Sequence, residues 1–312
     1  MKMNKGFMYL ILLMICLGVM GMSFGQSSSL SSTRNAIKTY KEKIINTPLR
    51  INLKFKKTLF YPDHKILEIL PDNKAKIQVS NSGNDAAGDE TEITIMDYSP
   101  EYQIPYKEHE ENVLIYMFQE RYYYERWDPQ NNDVGHYIEA YDGKDSMIMN
   151  TFVIANTGEK KREGKIYPGT RKSIAVKFNP LMAWGVKDWP SESFTISNRD
   201  DGKIKIEYNK ENQKFISLLS PRNYMFLSTC IEKPNFKMEM RVNNTVDIND
   251  MSLPSDIEQL KFNHEGKPEY IFHFKNVKYE IISSDEVNTK CKIKLPEGTI
   301  IREEKELLGL PE

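Results

Sequence analysis

Tyr137–Asn150, YIEAYDGKDSMIMN, is the stretch whose reading decides the fold class. Asp142-Gly143 is a strong two-residue hairpin turn, because glycine takes φ > 0 without steric cost and aspartate tolerates it. A two-residue loop pairs Tyr141 with Lys144, and so sets Ala140 opposite Asp145, Ile138 opposite Met147 and His136 opposite Met149. Successive side chains of a strand point to opposite faces. Ile138, Ala140, Met147 and Met149 therefore share an apolar face, and Glu139 and Ser146 share a face expected to be wet.

The same alternation continues on both sides of this hairpin. Upstream, Leu49, Ile51, Leu53 and Phe55 alternate with Arg50, Asn52, Lys54 and Lys56, the clearest long strand in the chain. Ala75, Ile77 and Val79 mark a second strand and Ile93 and Ile95 a third, with Asn81–Glu92 (NSGNDAAGDETE) a loop by composition. A helix can be drawn through Val113–Trp127, but its Tyr, Phe and Trp content favours a hairpin, Val113–Gln119 with Tyr122–Trp127.

Downstream, Thr157–Gly164 reads as a charged loop and Ser173–Phe178 as a strand, and Leu181–Val186 with Trp189-Pro190 reads as a short helix or turn over the sheet. In Phe194–Tyr208 a three-residue loop, Asp200–Gly202, pairs Ile196 with Ile206 and requires Gly202 in the left-handed conformation. Phe236, Met238, Met240 and Val242 alternate with charged residues. In Tyr270–Ile282 the apolar parity switches from Tyr270, Phe272 and Phe274 to Val277, Tyr279 and Ile281, which marks a bulge near Lys275-Asn276. Cys291, Ile293 and Leu295 read as a closing strand.

The N-terminus has a different character. Lys2 and Lys5 precede the apolar run Phe7–Met22, and Ser23-Phe24-Gly25 supplies small residues at a cleavage site, so residues 1–25 read as a signal peptide cut after about Gly25. The run is short of the roughly 20 residues that span a bilayer. Residues 26–33 are a Ser-rich segment expected to be mobile. Ala36, Ile37, Tyr40 and Ile44 then follow at helical spacing up to Thr47-Pro48, giving one amphipathic helix over Arg34–Ile45. With no repeat and no low-complexity linker, 34–306 is expected to form a single domain and 307–312 a tail. The expected fold is mainly β (α+β). It is a curved antiparallel sheet of about eleven strands forming an unclosed half-barrel, with the N-terminal helix and a short helix across its concave face.

The chemistry-bearing residues are sparse. The chain is near neutral, with a net charge of −1, and carries no basic stripe for a phosphate backbone. Its five histidines, His64, His109, His136, His264 and His273, do not stand at metal-ligand spacing. Asp128, Gln130, Asn132 and Glu139 mimic a calcium loop, but Asp133 occupies the position that needs glycine. There is no GxSxG elbow, no phosphate loop and no CxxC. No catalytic residue and no cofactor is therefore assigned. The two cysteines beyond the signal peptide, Cys230 and Cys291, can pair in an oxidising compartment or stand as buried thiols, and the spacing leaves both open. The positive signal is apolar. Met117, Met147, Met149, Met238 and Met240 fall on predicted inward faces, and Trp127, Trp184 and Trp189 at element edges. Methionine suits a surface that fits varied apolar partners, and equally fills a large core.

The order of elements resembles the periplasmic lipoprotein-carrier superfamily, the lipoprotein-sorting proteins of the outer-membrane localisation pathway. The resemblance rests on the signal peptide, the amphipathic helix, the long first strand, the Asp142-Gly143-Lys144 turn, the crossing near Pro180–Trp189, Leu253-Pro254-Ser255, and Leu295-Pro296-Glu297-Gly298. It covers most of Arg34–Arg302. It implies an unclosed barrel with helices across its mouth, an apolar cavity for acyl chains, no cofactor, and release of the ligand to a better-binding envelope partner. By face alone, Ile138, Met147, Met149, Ile196, Ile206, Met238 and Met240 are the candidate lining, and Ile37, Tyr40, Trp184 and Trp189 the candidate lid. The expected ligand is an acyl chain, lipid or lipoprotein. The alternative is an envelope sensor or scaffold that fills the same cavity with its own side chains.

Overall fold

The computed structural model describes residues 31–80, 91–130, 135–154, 157–169, 194–210 and 212–301. The signal segment, most of the Asn81–Glu92 loop, the Ser173–Phe178 strand, the Leu181–Val186 helix and the tail lie outside the described residues.

A helix, α1, spans residues 31–45. The strand β1 (Leu49–Phe60) follows and occupies the centre of the sheet. One of its edges pairs antiparallel with β16 (Pro268–Ile281), and the other pairs with β5 (Ile104–Phe118). Its alternation is read out directly: Leu49, Ile51, Leu53 and Phe55 are buried, while Asn52 and Lys54 are exposed. Phe55 packs against Phe272 and Phe274 with ring centroids 5.0 and 5.3 Å away.

Two meanders extend from β1. On one side run β5, β6 (Arg121–Trp127), β7 (His136–Tyr141), β8 (Asp145–Val153) and β9 (Lys160–Pro168). On the other run β10 (Thr195–Asn198), β11 (Ile204–Lys210), β12 (Gln213–Leu219), β13 (Phe226–Lys233), β14 (Phe236–Ile248), β15 (Met251–Phe262) and β16. A flap of β2 (Lys65–Leu70), β3 (Lys74–Ser80) and β4 (Thr91–Ser99) joins the start of β5. The two-residue β17 (Ile300–Ile301) lies parallel to β9. The sheet has seventeen strands rather than eleven, and no ladder joins its ends, β10 and β17, among the described residues.

The irregularities curve it. The register of β1 against β16 shifts between Asn52 and Lys54, opposite Asn276 at φ +53°, where the parity switch places a bulge. Phe272, Phe274, Val277 and Tyr279 thereby all reach the same core. The β14–β15 hairpin has two further shifts, between Val242 and Thr245, and turns on Asn249-Asp250, both left-handed. The Ile196–Ile206 pairing and the left-handed Gly202 are observed as read from the sequence.

Two readings are corrected. The β7–β8 hairpin turns on Gly143-Lys144, with Asp142 Oδ1 accepting from the backbone N–H of Lys144 and of Asp145 at 2.8 Å. Tyr141 therefore faces Ser146, Ala140 faces Met147 and Ile138 faces Met149. The slip moves each partner by two positions, so the faces are preserved. What changes is which face is wet: Glu139 and Ser146 are fully buried. Second, Cys291–Leu295 is not a strand. Ser283 caps a helix, α2 (Ser284–Lys290), by accepting from the Glu286 N–H at 3.1 Å, and Cys291 ends it. Of the two states left open for the cysteines, the structure has the free thiols, Cys230 half-buried in β13 and Cys291 buried under α2.

Candidate functional site

The inner face of the sheet can be followed strand by strand. Ile51 pairs with Ile115, Ile115 with Tyr124, Tyr124 with Glu139 and Glu139 with Ile148, and directly paired residues share a face. In the other direction Ile196, Ile206, Ser217, Thr229, Met240 and Gln259 form a second row. Both rows look towards α1, whose Ile37 and Ile44 are buried in the same cluster as Ile51, Ile115, Ile206 and Met240.

The inner face has two chemically different walls. The wall of β1 and β10–β16 is almost wholly apolar, its buried polar groups being Ser217, Thr229 and Gln259. Ser217 and Thr229 satisfy each other at 2.9 Å, and Gln259 Nε2 donates to Met238 Sδ at 3.1 Å. The wall of β6–β8 is polar. Tyr122 and Tyr137 donate their hydroxyls to the two carboxylate oxygens of Glu139, at 2.6 and 2.9 Å. The Arg126 guanidinium lies 5.1 Å from the Tyr137 ring centroid and bonds Glu111 at 3.3 Å. Burial, then the adjacent Glu139 charge, pushes the Tyr137 phenol above its ordinary range, so it stays a donor at any physiological pH. A carboxylate this buried is costly unless its oxygens are bonded, and here two phenols bond them.

The helix α1 closes over this face by contacts at both ends. Arg34 donates to the Phe194 carbonyl at 3.0 Å and stacks on its ring at 5.0 Å. Tyr40 donates to the Ser252 carbonyl at 2.5 Å, at the tip of the β14–β15 hairpin. The Gln119 N–H, in the β5–β6 turn, donates to the carbonyl of Ile45 at 2.7 Å. Beside the helix a half-open pocket of about 530 Å³ remains, with Ile37, Ile45 and Phe194 as its apolar lining and Arg34, Lys38, Lys41 and Glu42 at its rim, Glu42 lying 3.8 Å from Lys38.

The candidate lining splits. Ile196, Ile206 and Met240 lie on the inner face with Ile37, in one buried cluster. Met238 shares their face and is half-buried. Ile138, Met147 and Met149 do not join them. The register places these three on the outer face, so the seven residues do not line one cavity. The cause is that β7 and β8 are buried on both faces, and an apolar row no longer reports which face is inward. Of the lid residues, Ile37 is buried on the sheet-facing side of α1 and Tyr40 anchors the helix, while Trp184 and Trp189 lie outside the described residues. The Tyr122–Glu139–Tyr137 cluster depends on the β6–β7 register, which sets Tyr122 opposite Tyr141 and Tyr124 opposite Glu139 and which neither hairpin pattern specifies. Among the described residues, no three His, Cys, Asp or Glu side chains converge as metal ligands, and no helix is long and apolar enough to cross a membrane.

No family model matches the chain, and no curated protein matches it. Among solved structures it is similar to a DUF1329 family protein from Desulfovibrio piger, at 8% identity and a TM-score of 0.39 over 82% of this chain and 95% of that one. It is also similar to a LolA superfamily protein from Nitrosomonas europaea, at 9% identity and a TM-score of 0.41 over 81% and 96%.

Proposed function

We propose that the chain is an exported, non-enzymatic binding protein that holds an acyl chain, lipid or lipoprotein anchor against the apolar wall of its inner face. The observation that carries this reading is the arrangement at α1. A curved sheet whose inner face has one apolar wall is covered by the amphipathic helix α1, leaving a pocket of about 530 Å³ with an apolar lining and charged side chains at its rim. Ligand pockets commonly run from about 300 to 1,000 Å³, and each buried methylene contributes about 0.8 kcal/mol. The ligand's aliphatic part lies along Ile37, Ile45 and Phe194, with the buried Ile196, Ile206 and Met240 behind them as the wall that shapes the pocket. Arg34, Lys38 and Lys41 favour a negative group at the entrance. Export follows from residues 1–25, cleaved after about Gly25, and an envelope protein supplies or accepts the ligand.

A second reading, an envelope sensor or scaffold, is favoured by one observation: Phe55, Phe274, Ile206 and Met240 leave almost none of their own surface exposed, so much of the inner face is self-filled. Native mass spectrometry of the mature protein, followed by solvent extraction, separates the two. Carriage predicts a co-purifying acyl lipid that is lost on denaturation, and reduced retention in Ile37→Glu. A clean apo mass that gains nothing on adding phospholipid or an acylated peptide assigns the protein to the scaffold reading.

A further inference from the structure

The outer face of β7–β9 is covered in a way that leaves a second cleft. After α2 the chain runs back across the sheet and ends in β17 beside β9. Gly164 suits this path: a Cβ there would stand 2.6 Å from Leu295 Cδ2, 3.1 Å from Thr299 Cγ2 and 3.3 Å from the Ile148 carbonyl oxygen, so any other residue makes the Leu295 side chain shift. Between the returning segment and the sheet is a half-open cleft of about 670 Å³. Ile138 and Met149 form its floor, and Pro296 and Ile300 its far wall. The basic run Lys160-Lys161-Arg162 lines the remaining side, with Glu159 as the acid beside it. Lys161 lies 3.7 Å from Glu159, while Arg162 is exposed and has no ionic partner among the described residues. His136, also in the lining, is held at 2.6 Å by Glu125.

We infer that this cleft binds an amphiphilic anion, a carboxylate or phosphate carried on a short aliphatic chain. Arg162 presents a planar fork of donors suited to two oxygens of such a group, with Lys160 adding charge. Met149 and Ile138 offer an adaptable apolar floor for the chain. The site lies on the opposite side of the sheet from Ile206 and Met240, so it is independent of the inner-face pocket.

Calorimetry of the mature protein with octyl phosphate tests this, with octanol, octylamine, inorganic phosphate and a tetraglutamate peptide as comparisons. Methionine-methyl NMR locates the ligand, because Met149 and Met240 report opposite faces. The expected result is one equivalent of octyl phosphate bound, a shift of the Met149 methyl and none at Met240, and affinity at least tenfold weaker for every comparison compound. Lys160→Glu with Arg162→Glu, both at solvent-accessible positions, weakens octyl phosphate at least tenfold without altering the circular dichroism spectrum. Unchanged affinity in that double variant, or a shift at Met240 alone, overturns the assignment. Equal binding of inorganic phosphate or of tetraglutamate also overturns it, by reducing the cleft to a plain anion or acidic-peptide contact.

Discussion

Glu139 shows how far a single residue departs from its surroundings in sequence. It sits between Ile138 and Ala140 on a strand read as half-wet, yet it is wholly buried and bonded by two phenols. Glu139→Leu removes the acceptor for both hydroxyls and should destabilise the protein by roughly 3 kcal/mol, measured by urea unfolding. Tyr137→Phe should cost about half as much. Glu125 on the outer face carries a pH dependence. Burial pushes its carboxyl up, but the hydrogen bonds from His136 and Tyr123 outweigh that and hold it below its ordinary value of 4.5. A carboxyl whose folded pKa is depressed stabilises the fold above its unfolded pKa, and that contribution is lost as pH falls through the lower folded value. His136→Ala should therefore cost its full amount of stability well above pH 4.5 and progressively less as pH falls through the lowered Glu125 value, as read by urea unfolding across a pH series.

Among the elements, α1, β1 and the hairpins were legible because each satisfies one period. Residues 36, 37, 40 and 44 fit 3.6, and Leu49–Phe55 fits 2. The segment after β16 reads as a strand because Cys291, Ile293 and Leu295 alternate, whereas the Ser283-x-x-Glu286 capping signature just before them is what takes effect and starts a helix. Two measurements probe this segment. Gly164→Val, whose branched side chain meets both Leu295 and Thr299, should raise hydrogen exchange of 295–301 several-fold while that of β1 stays unchanged. Burial pushes the Cys291 thiol up to about 12, and Cys230 is also raised by burial. Both should titrate as free thiols in denaturant, and Cys291 should resist alkylation at pH 8 in the native protein, while the intact mass stays the same with and without reductant.

For the whole molecule, β1 is the joint. It carries ladders to β5 on one edge and β16 on the other, so neither meander completes its core alone. We expect one cooperative unfolding transition, with tryptophan fluorescence and far-UV circular dichroism coincident in urea; two separated transitions would mean that the meanders fold independently. Ile51→Ala, at the centre of this joint and fully buried, should lower stability by about 2–5 kcal/mol without changing the single-transition character.

The sequence by itself determined the β class, the amphipathic helix, the bulge at Asn276 and the turn at Gly202, because each follows from a local period or from a backbone angle that few residues tolerate. Only the tertiary structure decided which face of β7 and β8 looks inward. Their two faces are both buried, one by the inner cluster under α1 and the other beneath the returning C-terminal segment, and alternation cannot distinguish two dry faces. The pocket beside α1 and the outer cleft likewise depend on segments far apart in the chain, as Arg34 and Phe194 beside the pocket, 160 residues apart, show. That placement is set by long-range packing, and no local pattern encodes it.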